Sequence, residues 1–341
     1  MAFAPGRQNI FLSLFIFHGG YAIIRGKGRR GQGPRNGIGG NDEVHIAISG
    51  RLGSGKSTIC KLLSAQHGFE VYSTGSIQRE IALQKKISTL ELNLLSAQDR
   101  GLDFMIDEAV ARISAQRARE VMIFDSRMAW KFALHAFKVF VTVDPVVAAD
   151  RVMRAARGAE ELYADAEDAR RQLIERAKLE NARFQQIYGV DNFDYSNYHL
   201  VLDSSCAPPE LLARMIYAKF TQYIEDTNDV ADEPRNEILL SPTSLFPMKT
   251  IGPVYRELLS DFMAEQKYRE PISIAVVDGY HYIVDGHYRA LAALLNKEPF
   301  VQVRMAPLDA EDWLGQMGAG ATAGFQAFED AGAFRYASYP A

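Results

Sequence analysis

A chain of 341 residues, 48% of them apolar, is long enough to bury a sizeable core and to hold two folding units. Its formal net charge of −4 excludes nucleic-acid binding driven by overall charge, so any anion site has to be a local basic cleft. The two cysteines, Cys60 and Cys206, stand far apart without neighbouring thiols or histidine pairs, which excludes a disulfide framework and a zinc site and fits a reducing cytoplasm.

Residues 1–42 differ from everything after them. The apolar run at 10–17 is far shorter than the roughly 20 residues of a membrane span, and a Gly- and Arg-rich stretch follows at 26–40. This segment reads as a disordered extension or a start codon assigned too early, and no membrane association is expected. From residue 44 strands and helices alternate, the pattern of a parallel sheet covered on both faces. Residues 44–49 form a buried strand that runs into Gly50, Arg51, Leu52, Gly53, Ser54, Gly55, Lys56 and Ser57, and a helical pattern begins at Thr58. This fits G-x-x-x-x-G-K-[ST] between a strand and a helix, the context of a P-loop. Its backbone N–H groups and the helix N-terminus would hold phosphates, Lys56 would neutralise the β- and γ-phosphates, and Ser57 would hold Mg2+.

Further strands are expected at 69–72, 121–124, 138–143 and 199–202. Helices are expected at 76–84 and 103–116, along a polar region at 146–187, and at 208–224. Residues 226–235 read as a hydrophilic linker. Beyond it come a strand at 237–240, a helix at 253–266 and a hairpin of 272–277 with 280–284 around Asp278 and Gly279. A helix at 287–296, a strand at 300–305 and a Gly- and Ala-rich tail at 309–341 complete the chain. The expected organisation is therefore an extension (1–42), an α/β P-loop domain (43–225), the linker, a smaller α+β domain (236–308) and the tail.

Two arginines and an acid point to a second substrate. Arg79 lies one helical turn beyond the glycine turn at Gly75, and Asp125, Ser126 and Arg127 end a strand. In sheets of this type ligands sit at the carboxyl ends of strands, and arginine forks suit phosphate dianions. A phosphorylated acceptor favours a nucleoside monophosphate kinase over a GTPase.

Over residues 44–212 the chain resembles the cytidylate kinase family, especially its short archaeal-type members. The resemblance runs through ISGRLGSGKST, the segments at 73–79 and 103–107, DSR at 125–127, the segment at 175–191 and SNYHLVLDSS at 196–205. It implies a nucleoside monophosphate kinase fold and transfer of the ATP γ-phosphate to CMP or dCMP. It assigns ATP to Gly50, Gly53, Ser54, Gly55, Lys56, Ser57, Thr58 and Arg151, and the metal to Ser57 and Asp125. Arg79 and Arg127 fall on the acceptor phosphate, Asp107 falls near the base, and Arg176 and Arg183 match arginines of a closing lid. Lys56, Arg127, Arg176 and Arg183 are thus the expected catalytic set. Arg176 and Arg183 share a helix face, as do Arg151 and Arg154; the competing reading of these four is a solvated surface with partners such as Glu175 and Glu180. Where many family members have Gly between the acid and the arginine, this chain has Ser126.

Residues 236–306 resemble the ParB/sulfiredoxin-like fold, through ILLSPTSLFP at 238–247 and YHYIVDGHYRALAALL at 280–295. The resemblance implies a nucleotide or phosphate site at Asp285, Gly286, His287 and Arg289. The competing reading has His287 and Arg289 only capping the turn. The cysteine of sulfinic-acid reductases is absent, since His287 stands between Gly286 and Tyr288. Free-serine kinases carry an acid after the L-x-P segment, where Met248 and Lys249 stand here. Two alternatives stay open: a nucleotide-dependent DNA-binding protein of the ParB type, disfavoured by the acidic balance and the lack of a helix-turn-helix pattern, or a kinase of another small molecule.

Overall fold

The computed structural model describes residues 23–24, 43–75, 82, 86–87, 101–155, 163–227, 236–247 and 270–307. The helices expected at 76–84 and 253–266, the linker, the tail and most of the extension lie outside the described residues.

The first half alternates as expected. A two-residue strand β1 (Ile23–Ile24) precedes β2 (His45–Gly50), α1 (Lys56–His67), β3 (Glu70–Ser73), α2 (Gly101–Gln116), β4 (Met122–Asp125), a short α3 (Ala129–Phe132) and β5 (Ala136–Thr142). Then come α4 (Pro145–Arg154), α5 (Ala166–Tyr188), β6 (Leu200–Asp203) and α6 (Pro209–Thr227). Strands β3, β4, β2, β5 and β6 lie side by side and run parallel. Every residue of β2 is buried, because it is paired on both edges and covered on both faces. The chain leaves β2 for β3 on one side and leaves β4 for β5 on the other side of β2, so a crevice opens at the carboxyl ends of β2 and β4, where ligands of open α/β sheets bind.

Among the described residues the helical region expected at 146–187 holds two helices. Ala155 ends α4, and Asp165 starts α5 afresh as an N-cap whose side chain accepts from the Asp168 N–H at 2.8 Å. Neither α3 nor β8 (Leu245–Pro247) has a signal of its own in the sequence. The latter is three residues long and owes its conformation to parallel pairing with β10 (Tyr280–Asp285).

The sheet continues past the expected linker. Strand β7 (Glu237–Leu240) pairs in parallel with β6, with Val201 opposite Ile238. Beyond it stand β11 (Val301–Met305), β9 (Ile272–Val277), β10 and β8, giving eleven strands in one sheet among the described residues. Helix α7 (His287–Leu295) covers this half. Phe140, Tyr195, Tyr198 and Val201 share one core with Ile238, Leu240, Ile272, Ile274 and Ile283. Polar bonds tie the halves as well. The buried Asp203 carboxylate accepts from the N–H groups of Ser205 and Ser241 at 2.8 and 3.1 Å, and the Tyr195 hydroxyl meets His281 Nε2 at 2.8 Å. Burial, and after it the charge of Arg51, pushes His281 down to about 3, so its ring is neutral.

Candidate active site

The glycine loop is shaped by contacts that exclude side chains. Gly50 has φ +147°, and a Cβ there would lie 2.2 Å from the Val141 carbonyl oxygen, so β2 can leave the sheet at this point only through glycine. Gly55 precedes α1 in the left-handed region, which turns the first N–H groups of the helix toward the loop. Ser54 Oγ is buried and has no hydrogen-bond partner among the described residues. An orphaned hydroxyl inside a ring of backbone donors is what a phosphate would satisfy. Lys56 Nζ donates to the carbonyls of Gly50 and Arg51, both at 3.1 Å. Burial, followed by the repulsion of Arg127, pulls its ammonium down to about 7, so a triphosphate would restore its charge.

Asp125 ends β4 beside the loop. Its Oδ2 accepts from Ser57 Oγ at 3.0 Å and from Ser73 Oγ at 3.2 Å. This small set of hard oxygen donors fits Mg2+, which keeps several waters and takes one or two protein groups together with phosphate oxygens. Among the described residues no cluster of three His, Cys, Asp or Glu forms a dedicated metal cage.

Across the crevice lies a buried ionic network. Arg127 Nε donates to Glu180 Oε2 at 3.0 Å, and its Nη1 donates to the Gly50 carbonyl at 3.3 Å. Arg176 Nε donates to the other carboxylate oxygen, Glu180 Oε1, at 3.0 Å. Arg183 Nε pairs with Asp103 Oδ2 at 2.8 Å. Arg176, Glu180, Arg183 and Asp103 are all buried, so the solvated-surface reading fails for these α5 residues. Burial alone would raise the Glu180 carboxyl; the fields of Arg127, Arg176 and Arg183 outweigh it and hold the group below its usual value.

Arg127, Glu180, Arg183 and Asp103 of this network line a cleft bounded also by Thr74, Ile106, Asp107, Ser126, Met128 and Phe184. Asp107 is one helical turn from Asp103 on α2 and accepts from the Tyr188 hydroxyl at 2.5 Å. Burial raises its carboxyl to about 7, against the lowering effect of that bond. A buried acid of this kind, lining the same cleft as Arg127 and Arg183, can hold a polar group of an acceptor.

The remaining expected residues divide. Arg151 does not face the cleft. Its guanidinium donates to Ser204 Oγ at 3.0 Å, to the Ser204 carbonyl at 2.5 Å and to the Gly53 carbonyl at 3.4 Å, tying the glycine loop to the end of β6. Arg154 is exposed and, among the described residues, pairs with Asp150 at 3.7 Å. Arg79 lies outside the described residues. In the second half, Gly286 has φ +98° and precedes α7, and His287 is buried. Arg289 donates to Asp285 at 2.5 Å and to the Pro271 carbonyl at 2.8 Å, and it lies 3.6 Å from Glu270. Its charge is committed to acids, the arrangement expected of a turn cap. Sequence reasoning named Glu180 only as a surface partner and missed its place as the buried hub of the arginine network, Asp103 as the partner of Arg183, and Tyr188 on Asp107. The four-residue spacings 176/180 and 103/107 carried that signal.

A glycine loop between β2 and α1, an acid and a serine beside it, and a cationic crevice facing a second cleft define a P-loop phosphotransferase. The match to the cytidylate kinase-like family spans residues 45–206. The cytidylate kinase of Aeropyrum pernix is 34% identical over 173 residues, 50% of this chain and 94% of that relative. That of Thermoplasma acidophilum is 31% identical over 173 residues, 49% of this chain and 88% of the relative. The chain belongs to the cytidylate kinase-like family and is a nucleoside monophosphate kinase. Shikimate kinase from Bacteroides thetaiotaomicron overlaps 55% of this chain and 99% of its own at 15% identity and a TM-score of 0.34, too little to argue from. These relatives span about half of the present chain, and the strands from β7 onward lie outside the family match.

Proposed function

We propose that the protein transfers the γ-phosphoryl group of ATP to CMP or dCMP, yielding ADP and CDP or dCDP. The observation that carries this reading is the convergence of Lys56 and the Ser57–Asp125 pair on one side of the crevice with Arg127, Arg176 and Arg183 on the other. The glycine loop and Lys56 hold the donor phosphates. Mg2+ held by Ser57 and Asp125 would neutralise charge between the β- and γ-phosphates. Arg127 orients the acceptor phosphate, and Arg79 is assigned to the same phosphate on sequence grounds. An oxygen of that phosphate, already ionised, attacks the γ-phosphorus in line as the bond to the β–γ bridging oxygen breaks, so no general base is required. Arg176 and Arg183, which α5 brings to the same crevice, stabilise the charge that spreads over the equatorial oxygens.

In the ligand-free protein Glu180 occupies the arginines as an internal anion. Acceptor binding then exchanges one set of charge-assisted bonds for another, which spares the buried arginines an unpaired state. Asp107 is the group we assign to base recognition: as a carboxylate it accepts from the exocyclic amine of cytosine and is mismatched with the carbonyl of uracil.

Supplying Mg-ATP with each nucleoside monophosphate in turn, and following ADP, tests the reading. CMP- or dCMP-stimulated turnover that disappears in Lys56→Ala is expected. Stimulation by another acceptor alone would overturn the substrate assignment. For residues 236–308 we propose an accessory unit built onto the edge of the kinase sheet. At the helix turn Arg289 pairs with the exposed carboxylates of Asp285 and Glu270. Equilibrium binding of CTP or ATP to Lys56→Ala, whose glycine loop is disabled, would reveal a second nucleotide site if one exists.

A further inference from the structure

Helix α5 carries two working faces. Glu180 and Arg183 line the cleft, and Arg176 is paired with Glu180 beside it. At a spacing of four residues, Arg170, Ile174 and Lys178 lie on the opposite side of the helix, and there they meet the β9–β10 hairpin. Lys178 Nζ pairs with Asp278 Oδ1 at 2.7 Å. Arg170 Nη1 donates to the Tyr280 hydroxyl at 2.6 Å. Ile174 lies against the cluster of Ala275, Tyr280 and Tyr282. The hairpin turn itself, Asp278 and Gly279, has φ +53° and +94°, a rigid two-residue reversal. Its tip also reaches the glycine loop: a Cβ on Gly279 would stand 2.9 Å from the Arg51 guanidinium carbon, and that guanidinium lies 4.4 Å over the Phe193 ring.

The same turn therefore touches the helix that delivers the acceptor-side arginines and the loop that holds the donor. Both contacts come from residues outside the stretch matched by the kinase family. We propose that the Asp278–Gly279 hairpin is a positioning element for phosphoryl transfer, setting α5 so that Arg176 and Arg183 meet the transferring group and holding Arg51 in register with it. This rests on the reading of Arg176 and Arg183 as transition-state residues. The contacts are modest: a solvent-exposed ion pair, one phenol–guanidinium bond and one isoleucine. Their loss shifts the helix without unfolding the sheet beneath it.

The test uses the full chain and steady-state kinetics with Mg-ATP and the acceptor found to be best. Lys178→Asp and Asp278→Lys each place like charges at the contact, and the double variant restores the pair with reversed polarity. The expectation is that each single variant lowers kcat about two- to fivefold, the scale of an exposed pair, with the KM for ATP unchanged. The double variant is expected to return kcat to near the parental value. Such a kcat effect without a KM effect is the mark of an interaction felt in the transition state; a merely structural contact would lower melting temperature and leave kcat per folded molecule intact. Gly279→Val, which drives a side chain into Arg51, is expected to lower kcat at least tenfold and to raise the KM for ATP as well. Arg176→Ala separates the two layers. If it loses turnover by about a hundredfold while the single charge reversals leave kcat untouched, the hairpin proposal is overturned and the arginine reading stands. If Arg176→Ala turns over normally, the arginine reading falls and the hairpin proposal falls with it.

Discussion

The two sides of the crevice are prepared in different ways. On the donor side the cation Lys56 is held by neutral carbonyls of its own loop, and Ser54 is left without a partner. On the acceptor side every described arginine is paired with a carboxylate: Arg127 and Arg176 with Glu180, Arg183 with Asp103. A lysine on backbone carbonyls is released at little cost, whereas a buried guanidinium cannot be left bare. The donor side is thus ready for phosphate, and the acceptor side is neutralised until phosphate replaces the carboxylate.

Breaking each side in turn should expose that asymmetry. The largest effect is expected for Lys56→Ala, about a thousandfold or more in kcat/KM for ATP, because the donor phosphates then lose the one side-chain cation that the glycine loop supplies. Arg176→Ala and Arg183→Ala come next, each at about a hundredfold in kcat by the same reasoning. Glu180→Gln should act first on stability. Removing the shared carboxylate from buried arginines costs about 3–5 kcal/mol, visible as a lowered melting temperature in the ligand-free protein. Inorganic phosphate or CMP should restore much of that loss in the variant and add less to the parent. No such ligand-specific rescue would mean that the carboxylate does not occupy the acceptor phosphate's place.

Smaller and opposite pH effects should separate the sides further. Lys56 sits at about 7 in the ligand-free protein, low for a lysine. Above that pH the empty site holds a neutral amine, and ATP binding must take up a proton. Affinity for ATP is expected to fall about fivefold between pH 7 and 8. Asp107 sits at about 7, high for an aspartate. Below that pH it is protonated and cannot accept from an amine, so acceptor affinity should fall about fivefold between pH 7 and 6. Asp107→Asn should abolish the acid limb and leave the alkaline one. An acid limb that survives the substitution would remove Asp107 from base recognition.

Much of the donor side was legible in the chain because it is local. Eight consecutive residues between a strand and a helix carry its geometry, and β2 and α1 fall where the pattern puts them. The hairpin at Asp278 and Gly279 was legible for the same reason, since two turn residues carry their own backbone preference. The acceptor side was legible only as a set of candidates. Arg151 and Arg176 carry the same charge on neighbouring helices, yet one ties a loop to β6 and the other lies beside the cleft. Which partner each one meets depends on the packing of α4 and α5, and no spacing within the chain decides it.

By itself, then, the amino-acid sequence determined the P-loop, the alternating strands around it and the chemistry of a phosphoryl donor, because each rests on contacts between near neighbours. Tertiary structure alone decided that Glu180 binds two arginines instead of facing water. It also decided that strands β7 to β11 continue the kinase sheet, and that a hairpin about a hundred residues downstream in sequence braces the back of α5. Those facts join residues distant in the chain, and only the register of the sheet and the burial it imposes bring them together.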